Sequence, residues 1–304
     1  MSAGKVMGTG LRTLAVCFLF AMCFAIGMAL SGVAKLAQQG PAVQASPAEV
    51  LRPFLMFCVC VGIAVSYLIL RSSWNGLKLV GAMFAAIYGI STIATQVESL
   101  FFLRAKMPPG MIRGLFVEGL IASLLIAPLA VLVLGKWKAA RPATAQIAPA
   151  HLSAASAAWR IALLVVAFVF LYMFFGYYVA WRNPALRQYY GGHELASFFA
   201  ALRSNWVNAP RIYGLQVFRA LLYVACVFPL LRMLHVTRWE KAAAVALFLT
   251  AWTTILLMPN PLMPASVARS HFWETLAFNL TFGALLGWLL GKTVPSRETA
   301  LTGR

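Results

Sequence analysis

The segment Met263–Lys292 reads MPASVARSHFWETLAFNLTFGALLGWLLGK, and it decides the fold because the chain contains a second version of it. That version, Met107–Lys136, reads MPPGMIRGLFVEGLIASLLIAPLAVLVLGK, and 11 of the 30 aligned positions are identical. The identical residues include polar and conformationally special ones that apolar composition does not supply by chance. They are Pro108 and Pro264, Arg113 and Arg269, Glu118 and Glu274, Gly135 and Gly291, and Lys136 and Lys292. The sequence therefore predicts an internal duplication.

The composition excludes a soluble globular protein. Of the 304 residues, 62% are hydrophobic and only 11% are charged, and the mean hydropathy is +0.83. A soluble domain has too little interior to bury that much apolar surface. Apolar runs of roughly 20 residues, long enough to cross a ~30 Å hydrocarbon core, recur along the chain. Because backbone polar groups in lipid must be satisfied within their own segment, these runs are helices, and the predicted fold is an all-α integral membrane protein.

Eight membrane-spanning helices are predicted, four in each half. They cover residues 12–33, 53–70, 79–103, 112–134, 160–181, 212–231, 240–258 and 267–291. Trp74 with Trp239, and Gly27 with Gly176, extend the duplication beyond the last helix of each half. Since four is an even number, the two halves have the same orientation, as in parallel-repeat transporters. The predicted organisation is a 4+4 bundle, with a first repeat over 1–136, a Pro, Ala and Ser-rich cytoplasmic linker over 137–159, and a second repeat over 160–304.

The charge balance is strongly basic, with 25 Lys and Arg, seven Glu, no Asp and a net charge of +18. No basic face with interleaved aromatic residues stands out, so nucleic acid is not an expected partner. In a membrane protein, loop Lys and Arg residues set the orientation. The side that carries both termini holds 14 of them and the opposite side holds 10, which favours cytoplasmic termini.

A short amphipathic helix is predicted near 193–207, between the fifth and sixth spans. Its apolar residues, Leu195, Phe198, Phe199, Leu202 and Trp206, recur at helical spacing. Such a helix lies in the outer membrane interface, either as an anchor or as a lid over a site. Tyr189, Tyr190 and Trp206 suit the aromatic belt of that interface.

Four ionisable residues inside the predicted spans are the candidate functional residues, since each costs ~2.5–3.5 kcal/mol to insert. Glu98, Glu118, Arg219 and Glu274 all lie ~7–11 Å below the same membrane face, counted at the helical rise per residue. The sequence thus predicts one polar layer. Further candidates surround that layer, namely Arg113, Arg269, His271 and Asn279.

His271 and Glu274 share one face of the last helix, so an imidazole and a carboxylate converge there. These two ligands do not make a metal site, and the chain contains no HExxH, GxSxG or Walker motif. No metal is therefore predicted, and no cofactor is assigned. A buried network that merely holds the helices together remains an open alternative.

Gly283, Gly287 and Gly291 form a GxxxGxxxG face on the same helix. Small residues at this spacing let two helices approach closely. The partner is either another helix of the chain or a second copy of the protein in a homo-oligomer.

Three functional hypotheses follow. The first is a transporter-like or solute-binding protein, whose arginines attract a small anionic solute or lipid at a polar site near the outer face, between the repeats. The second is a membrane-embedded enzyme with His271 or Glu274 as general base and Arg269 as oxyanion or phosphate partner, which the missing motifs disfavour. The third is an accessory or scaffold subunit. The acidic end of span 3, the segment YYVAWRNP (177–184) and the final HFWE (271–274) resemble bacterial inner-membrane proteins. That resemblance implies a location and no activity.

Overall fold

The computed structural model describes residues 3–39, 45–138, 147–150, 152–192, 194–260 and 262–295, and these are almost entirely helical. The α-helices are α1 Ala3–Leu30, α2 Val33–Ala37, α3 Pro47–Arg71, α4 Gly76–Ile87, α5 Thr95–Phe102, α6 Met111–Val133, α7 Ala154–Phe175, α8 Pro184–Tyr189, α9 Phe198–Asn208, α10 Arg211–Met233, α11 Arg238–Ala251 and α12 Ala265–Leu290. Two three-residue strands, β1 Ile147–Pro149 and β2 Thr293–Pro295, pair antiparallel.

Seven helices in the described part of the chain are long and apolar enough to cross a membrane. They are Val6–Leu30, Pro47–Arg71, Gly76–Phe102, Met111–Val133, Ala154–Ala180, Arg211–Met233 and Arg238–Leu257. The predicted all-helical, multi-pass membrane architecture is supported at this level. The eighth predicted span is present as the 26-residue helix α12, but it is not among the seven. Its polar residues, including His271, Glu274 and Asn279, lower its hydropathy.

Helix starts follow local capping signals more closely than they follow hydropathy. Ser46 and Glu49 form a capping box at the start of α3, where Ser46 N donates to Glu49 Oε2 over 2.7 Å. Ser153 caps α7 and Thr237 caps α11 through the side-chain oxygen alone, which accepts from a backbone N–H. The helices therefore begin several residues before the apolar runs that predicted them.

Three of the long helices contain an irregular turn, one between two α-helical parts and two at the C-terminal end. A π-helix, Tyr88–Ala94, joins α4 to α5, and a second π-helix, Gly176–Ala180, ends α7. A 3₁₀-helix, Trp252–Leu257, continues α11. Irregular turns of this kind often lie at functional positions in helices.

The two halves of the chain meet through reciprocal contacts. Helix α3 of the first half packs against α11 and the 3₁₀-helix of the second, and α10 of the second half packs against α4 and the first π-helix. The residues that follow α3 and α10, Ser72 and Leu234, form an isolated antiparallel bridge. Beside that bridge, Ser73 N donates to Met233 O over 2.8 Å.

An aromatic cluster fixes α7, α10 and α12 to one another. The ring of Phe168, which is fully buried, lies 5.3 Å from Tyr223, 4.8 Å from Phe278 and 4.9 Å from Phe282, all edge-on. Edge-to-face packing at these distances is favourable. The cluster supports the polar residues described below, because Arg219 lies on its outer side, 5.8 Å from the Phe168 ring.

The glycine face of α12 is occupied within the same chain. A Cβ on Gly283 would lie 2.8 Å from Ala246 Cα, and a Cβ on Gly287 would lie 2.6 Å from Ala242 Cα. Helices α11 and α12 therefore approach to backbone contact at these positions. Any second copy of the protein would have to use another surface.

Two predicted segments differ from their expected boundaries. The linker predicted over 137–159 contains β1 and the start of α7, because β1 pairs with the distant strand β2 and Ser153 caps the helix. Residues 139–146 and 151 lie outside the described residues. The amphipathic helix predicted near 193–207 is α9, which begins later because Ser197 accepts from Ala200 N and sets the N-cap.

Candidate functional site

An ion pair between the two halves forms the centre of the site. The Nη2 atom of Arg219, on α10, lies 2.6 Å from Glu98 Oε2, on α5. The Arg219 side chain is only 8% exposed, whereas Glu98 is 33% exposed. One turn earlier on α10, Gln216 accepts from Arg219 Nη1 over 2.9 Å. The guanidinium is therefore held on its own helix and neutralised by a residue of the other half.

A second pair lies on α12, as the spacing of His271 and Glu274 predicted. His271 Nδ1 lies 2.8 Å from Glu274 Oε2, and His271 Nε2 lies 3.1 Å from the hydroxyl of Tyr190. With the proton on Nδ1 directed to the carboxylate, Nε2 accepts from the tyrosine hydroxyl. Tyr190, Glu274 and the imidazole thus form one hydrogen-bonded series.

Tyr172, on α7, connects the two pairs. Its ring centre lies 6.0 Å from Arg219 Cζ, and Tyr172 is within electrostatic range of Glu98, Glu274 and Tyr190, as Arg219 is of Glu274. All six residues therefore belong to one assembly. We call it the outer polar cluster, after the membrane face predicted for it from the sequence, and it comprises Glu98, Tyr172, Tyr190, Arg219, His271 and Glu274.

Tyr190 lies outside the membrane-spanning segments, at the end of α8. Burial, with the neighbouring Tyr189, Glu98 and Glu274, raises the pKa of Tyr190 above its usual value. Its hydroxyl therefore stays protonated at neutral pH and remains a hydrogen-bond donor to His271.

The segment that carries Tyr190 is fastened onto α12. Asn183 caps α8 through its side-chain oxygen and donates through Nδ2 to Ser270 Oγ over 2.9 Å. The hydroxyl of Tyr189 donates to Leu262 O over 2.6 Å. These bonds hold α8 across the start of α12, so the tyrosines cover the outer polar cluster from the loop side.

Lys106, in the first half of the chain, packs against the same two tyrosines. Its Nζ donates to Tyr189 O over 2.5 Å and lies 3.4 Å from the centre of the Tyr189 ring and 5.2 Å from that of Tyr190. An ammonium over an aromatic face at these distances is attracted by the ring quadrupole. Lys106 therefore forms a second contact between the halves at this membrane face.

Four of the predicted site residues lie in the cluster and four do not. Glu98, Arg219, His271 and Glu274 come together. Glu118 is 8% exposed on α6, and no described side chain forms a hydrogen bond or ion pair with it. Arg113 and Arg269 are exposed, likewise without partners among the described residues. Asn279 faces α11, where its Nδ2 donates to Leu249 O over 3.2 Å.

The separation has a geometric reason. A shared depth in the membrane does not place side chains on the same side of the bundle, and α6 turns the face that carries Glu118 toward α1. A Cβ on Gly27 of α1 would lie 2.8 Å from the Glu118 carbonyl oxygen. Asn279 is separated from His271 by two turns and points into the α11 contact instead.

Sequence reasoning missed Tyr172, Lys106 and Gln216, and it assigned Tyr190 to the aromatic belt. Gln216 was recognisable, because it precedes Arg219 by three residues and shares its helix face. The other three depend on contacts between distant segments. Their sequence neighbourhoods carry no sign of those contacts.

In the described part of the chain, no group of three or more His, Cys, Asp or Glu residues converges as metal ligands do. The outer polar cluster offers one guanidinium, one imidazole, two carboxylates and two phenol groups. The chain matches no protein-family model, and it matches none of the curated proteins or solved structures with which it was compared.

Proposed function

We propose that the protein is a transporter-like or solute-binding protein of a bacterial-type inner membrane, and that a small anion binds at Arg219 in the outer polar cluster. In the proposed architecture, eight helices cross the membrane as two parallel four-helix repeats, with both termini on the cytoplasmic side. The observation that carries the functional proposal is the Arg219–Glu98 ion pair, which joins the two halves at one membrane face.

Equivalent contacts in the two halves support the repeat. A Cβ on Gly27 would lie 2.8 Å from the backbone oxygen of Glu118, and a Cβ on Gly176 would lie 3.3 Å from the side-chain Oε1 of Glu274, so each glycine of one predicted pair lies next to a glutamate of another. The third span of each half also carries an irregular turn, over Tyr88–Ala94 in the first and Trp252–Leu257 in the second. In addition, the short helices α2 and α8, which follow the first span of each half, both pack on its last helix.

The ion pair is suited to exchange of one anion for another. Arg219 is buried and held by Gln216, whereas Glu98 is one-third exposed and forms no other hydrogen bond or ion pair with a described residue. A carboxylate or phosphate that replaced Glu98 would preserve the neutrality that a buried guanidinium requires. Binding would then weaken a contact that joins the halves, as alternating access requires.

The experiment measures anion-dependent thermal stabilisation of the purified protein in lipid nanodiscs. The probes are acetate, succinate, citrate and inorganic phosphate. At least one probe should raise the melting temperature of the wild type and of Arg113→Gln, whose exposed arginine is the matched control. The same probe should have no effect on Arg219→Gln. Equal stabilisation of all three proteins would overturn the proposal.

The hydrogen-bonded series Glu274–His271–Tyr190 favours the enzyme as the second candidate, since a carboxylate orients the imidazole as it does for a general base. Arg269 is exposed and does not contribute to that arrangement. Proteoliposomes separate the two functions: a carrier releases its solute unchanged on the other side, whereas an enzyme yields a product of altered mass. A protein that does neither, and that no probe stabilises, fits the accessory or scaffold hypothesis.

A further inference from the structure

The membrane face opposite the outer polar cluster contains a cavity of about 600 Å³. It lies between the start of α7, the start of α11 and the strand β2. Its lining residues are Ala150, Leu152, Ser153, Ser156, Arg238, Lys292, Thr293 and Val294. Two of them are cationic, three carry hydroxyl groups and none is acidic. The lining is therefore suited to an anion.

Arg238, which lines the cavity, and Arg160, which does not, both donate to carbonyl groups at the end of α12. Arg238 Nε donates to Trp288 O and Arg160 Nη1 donates to Leu289 O, each over 2.5 Å. The C-terminus of a helix carries only about half a negative charge, so two guanidiniums exceed what it needs. Arg160 is 5% exposed, and its Nε has no hydrogen-bond partner.

Lys241 adds a third cation next to the same helix end. It is fully buried, packs against Gly291, and has no hydrogen bond or ion pair with any described residue. The nearby carboxylate of Glu240 is engaged elsewhere, where it accepts from Arg71 Nε over 2.6 Å and from the Tyr67 hydroxyl over 2.8 Å. The charge around the cavity is therefore positive without a counterion from the described part of the chain.

Tryptophans place this cavity at the level of the lipid headgroups. Trp239 is 73% exposed and Trp159 is 52% exposed, and Trp288 lies under the Arg238 guanidinium at 3.5 Å. Tryptophan is enriched where the hydrocarbon core meets the headgroups. An anion that reaches the cavity laterally, through the membrane, therefore carries an acyl chain.

We propose that this cavity binds the phosphate group of an anionic phospholipid. Arg238 and Lys292 pair with the phosphate oxygens, and the hydroxyls of Ser153, Ser156 and Thr293 donate hydrogen bonds to them. The bound lipid supplies the negative counterion for the positive charges of Arg160, Arg238 and Lys241. This site lies at the opposite end of the bundle from the outer polar cluster, and it does not depend on the anion proposed there.

The test uses native mass spectrometry of the full-length protein from nanodiscs of phosphatidylcholine with phosphatidylglycerol. We expect the wild type to retain phosphatidylglycerol after it is released into detergent. Lys292→Gln should retain phosphatidylglycerol about fivefold less well than the wild type. The additional substitution Arg238→Gln should reduce lipid retention by a similar factor. Lys138→Gln, which removes an exposed cation outside the cavity, should behave as the wild type.

Ser156→Ala and Lys292→Gln should both fold as the wild type does, because neither substitution removes a contact between helices. A change in lipid retention in these variants therefore reports on the cavity. Unchanged lipid retention in both variants would overturn the proposal. A parallel sample of Arg219→Gln in pure phosphatidylcholine receives inorganic phosphate, so that the anion site proposed at Arg219 does not contribute. If phosphate alone stabilises the protein and phosphatidylglycerol adds nothing, the source is a free phosphate and the lipid proposal is wrong. Loss of solute binding in Arg219→Gln would leave this result unaffected, so the two proposals can fail separately.

Discussion

Arg219 and Glu118 illustrate two different fates of a charged residue inside a membrane helix. Arg219 has a carboxylate partner from the other half of the chain, whereas Glu118 is buried at 8% exposure with no partner among the described residues. An unpaired buried carboxylate is far less costly when it is neutral, so it is expected to hold its proton. Substitution by Gln should therefore destabilise the protein at position 98 and have little effect at position 118.

Glu98→Gln should lower the free energy of unfolding by about 2–3 kcal/mol, because Arg219 is left as an uncompensated buried charge. The expected loss of stability is smaller than for a fully buried ion pair because Glu98 is one-third exposed. Glu118→Gln is the matched control and should change stability by less than about 0.5 kcal/mol. Titration of each variant with a denaturing detergent measures both changes in the free energy of unfolding. Equal losses in the two variants would contradict the assignment of partners.

Tyr190 should contribute through its hydroxyl rather than through its ring. Tyr190→Phe keeps the edge-on contact with His271, whose ring centre lies 5.7 Å away, and removes only the 3.1 Å hydrogen bond. We expect a loss of about 1 kcal/mol, and a double-mutant cycle with His271→Phe should recover most of it as coupling energy. Tyr177→Phe, which removes a bond to the exposed Ala196 carbonyl, should show no coupling to His271.

His235 predicts a pH dependence of stability at the opposite membrane face. Burial, with the positive charges of Lys241 and Arg232, lowers the pKa of His235 below its ordinary value of 6.5. The unfolded chain therefore binds a proton more readily than the folded one, so stability is complete above pH 6.5 and falls as the pH decreases below it. His235→Asn should flatten the stability profile between about pH 7.5 and about pH 5.5. A variant whose profile matches that of the wild type would show that the imidazole is not desolvated.

At the scale of elements, hydropathy predicted where helices cross the membrane but not where they begin, break or pair. The starts depend on Ser46, Ser153 and Thr237, whose side chains satisfy backbone N–H groups outside the apolar run. The π-helix Tyr88–Ala94 and the pairing of β1 with β2 depend on tertiary contacts that no local pattern encodes. The apolar stripe of α9 predicted a helix, and the helix starts later than predicted because Ser197 is its N-cap.

The contact between α11 and α12 provides the prediction at this scale. Gly287→Ala should destabilise the protein by roughly 1–3 kcal/mol, since the added methyl group would meet the Ala242 backbone at 2.6 Å and force the helices apart. Gly81→Ala is the control, because nothing lies within 4 Å of a Cβ built there and alanine favours the helix. Thermal unfolding should separate the two variants, and a stable Gly287→Ala would contradict close packing at this position.

At the scale of the whole molecule, four of the eight site residues predicted from the sequence lie in the outer polar cluster. Glu98, Arg219, His271 and Glu274 were recognisable as ionisable residues at one depth, and they lie together. Glu118, Arg113, Arg269 and Asn279 met the same sequence criteria and lie elsewhere, because depth alone does not determine which helix faces meet. Tyr172 and Tyr190, which complete the cluster, and Lys106, which packs on Tyr189 and Tyr190 beside it, are brought there by the packing of distant segments, which only the three-dimensional arrangement specifies.

The affinity of Glu98→Gln for the anion that stabilises the wild type tests the central claim most directly. If a solute anion replaces Glu98 at Arg219, removal of the competing carboxylate should make that anion bind at least about tenfold more tightly, because tenfold in affinity corresponds to about 1.4 kcal/mol, which is less than the loss expected when the pair is broken. Titration of the anion against the melting temperature of the nanodisc-embedded variant gives this number. An unchanged or weaker affinity in Glu98→Gln would mean that Arg219 and Glu98 form a structural pair, and that the anion site lies elsewhere or does not exist.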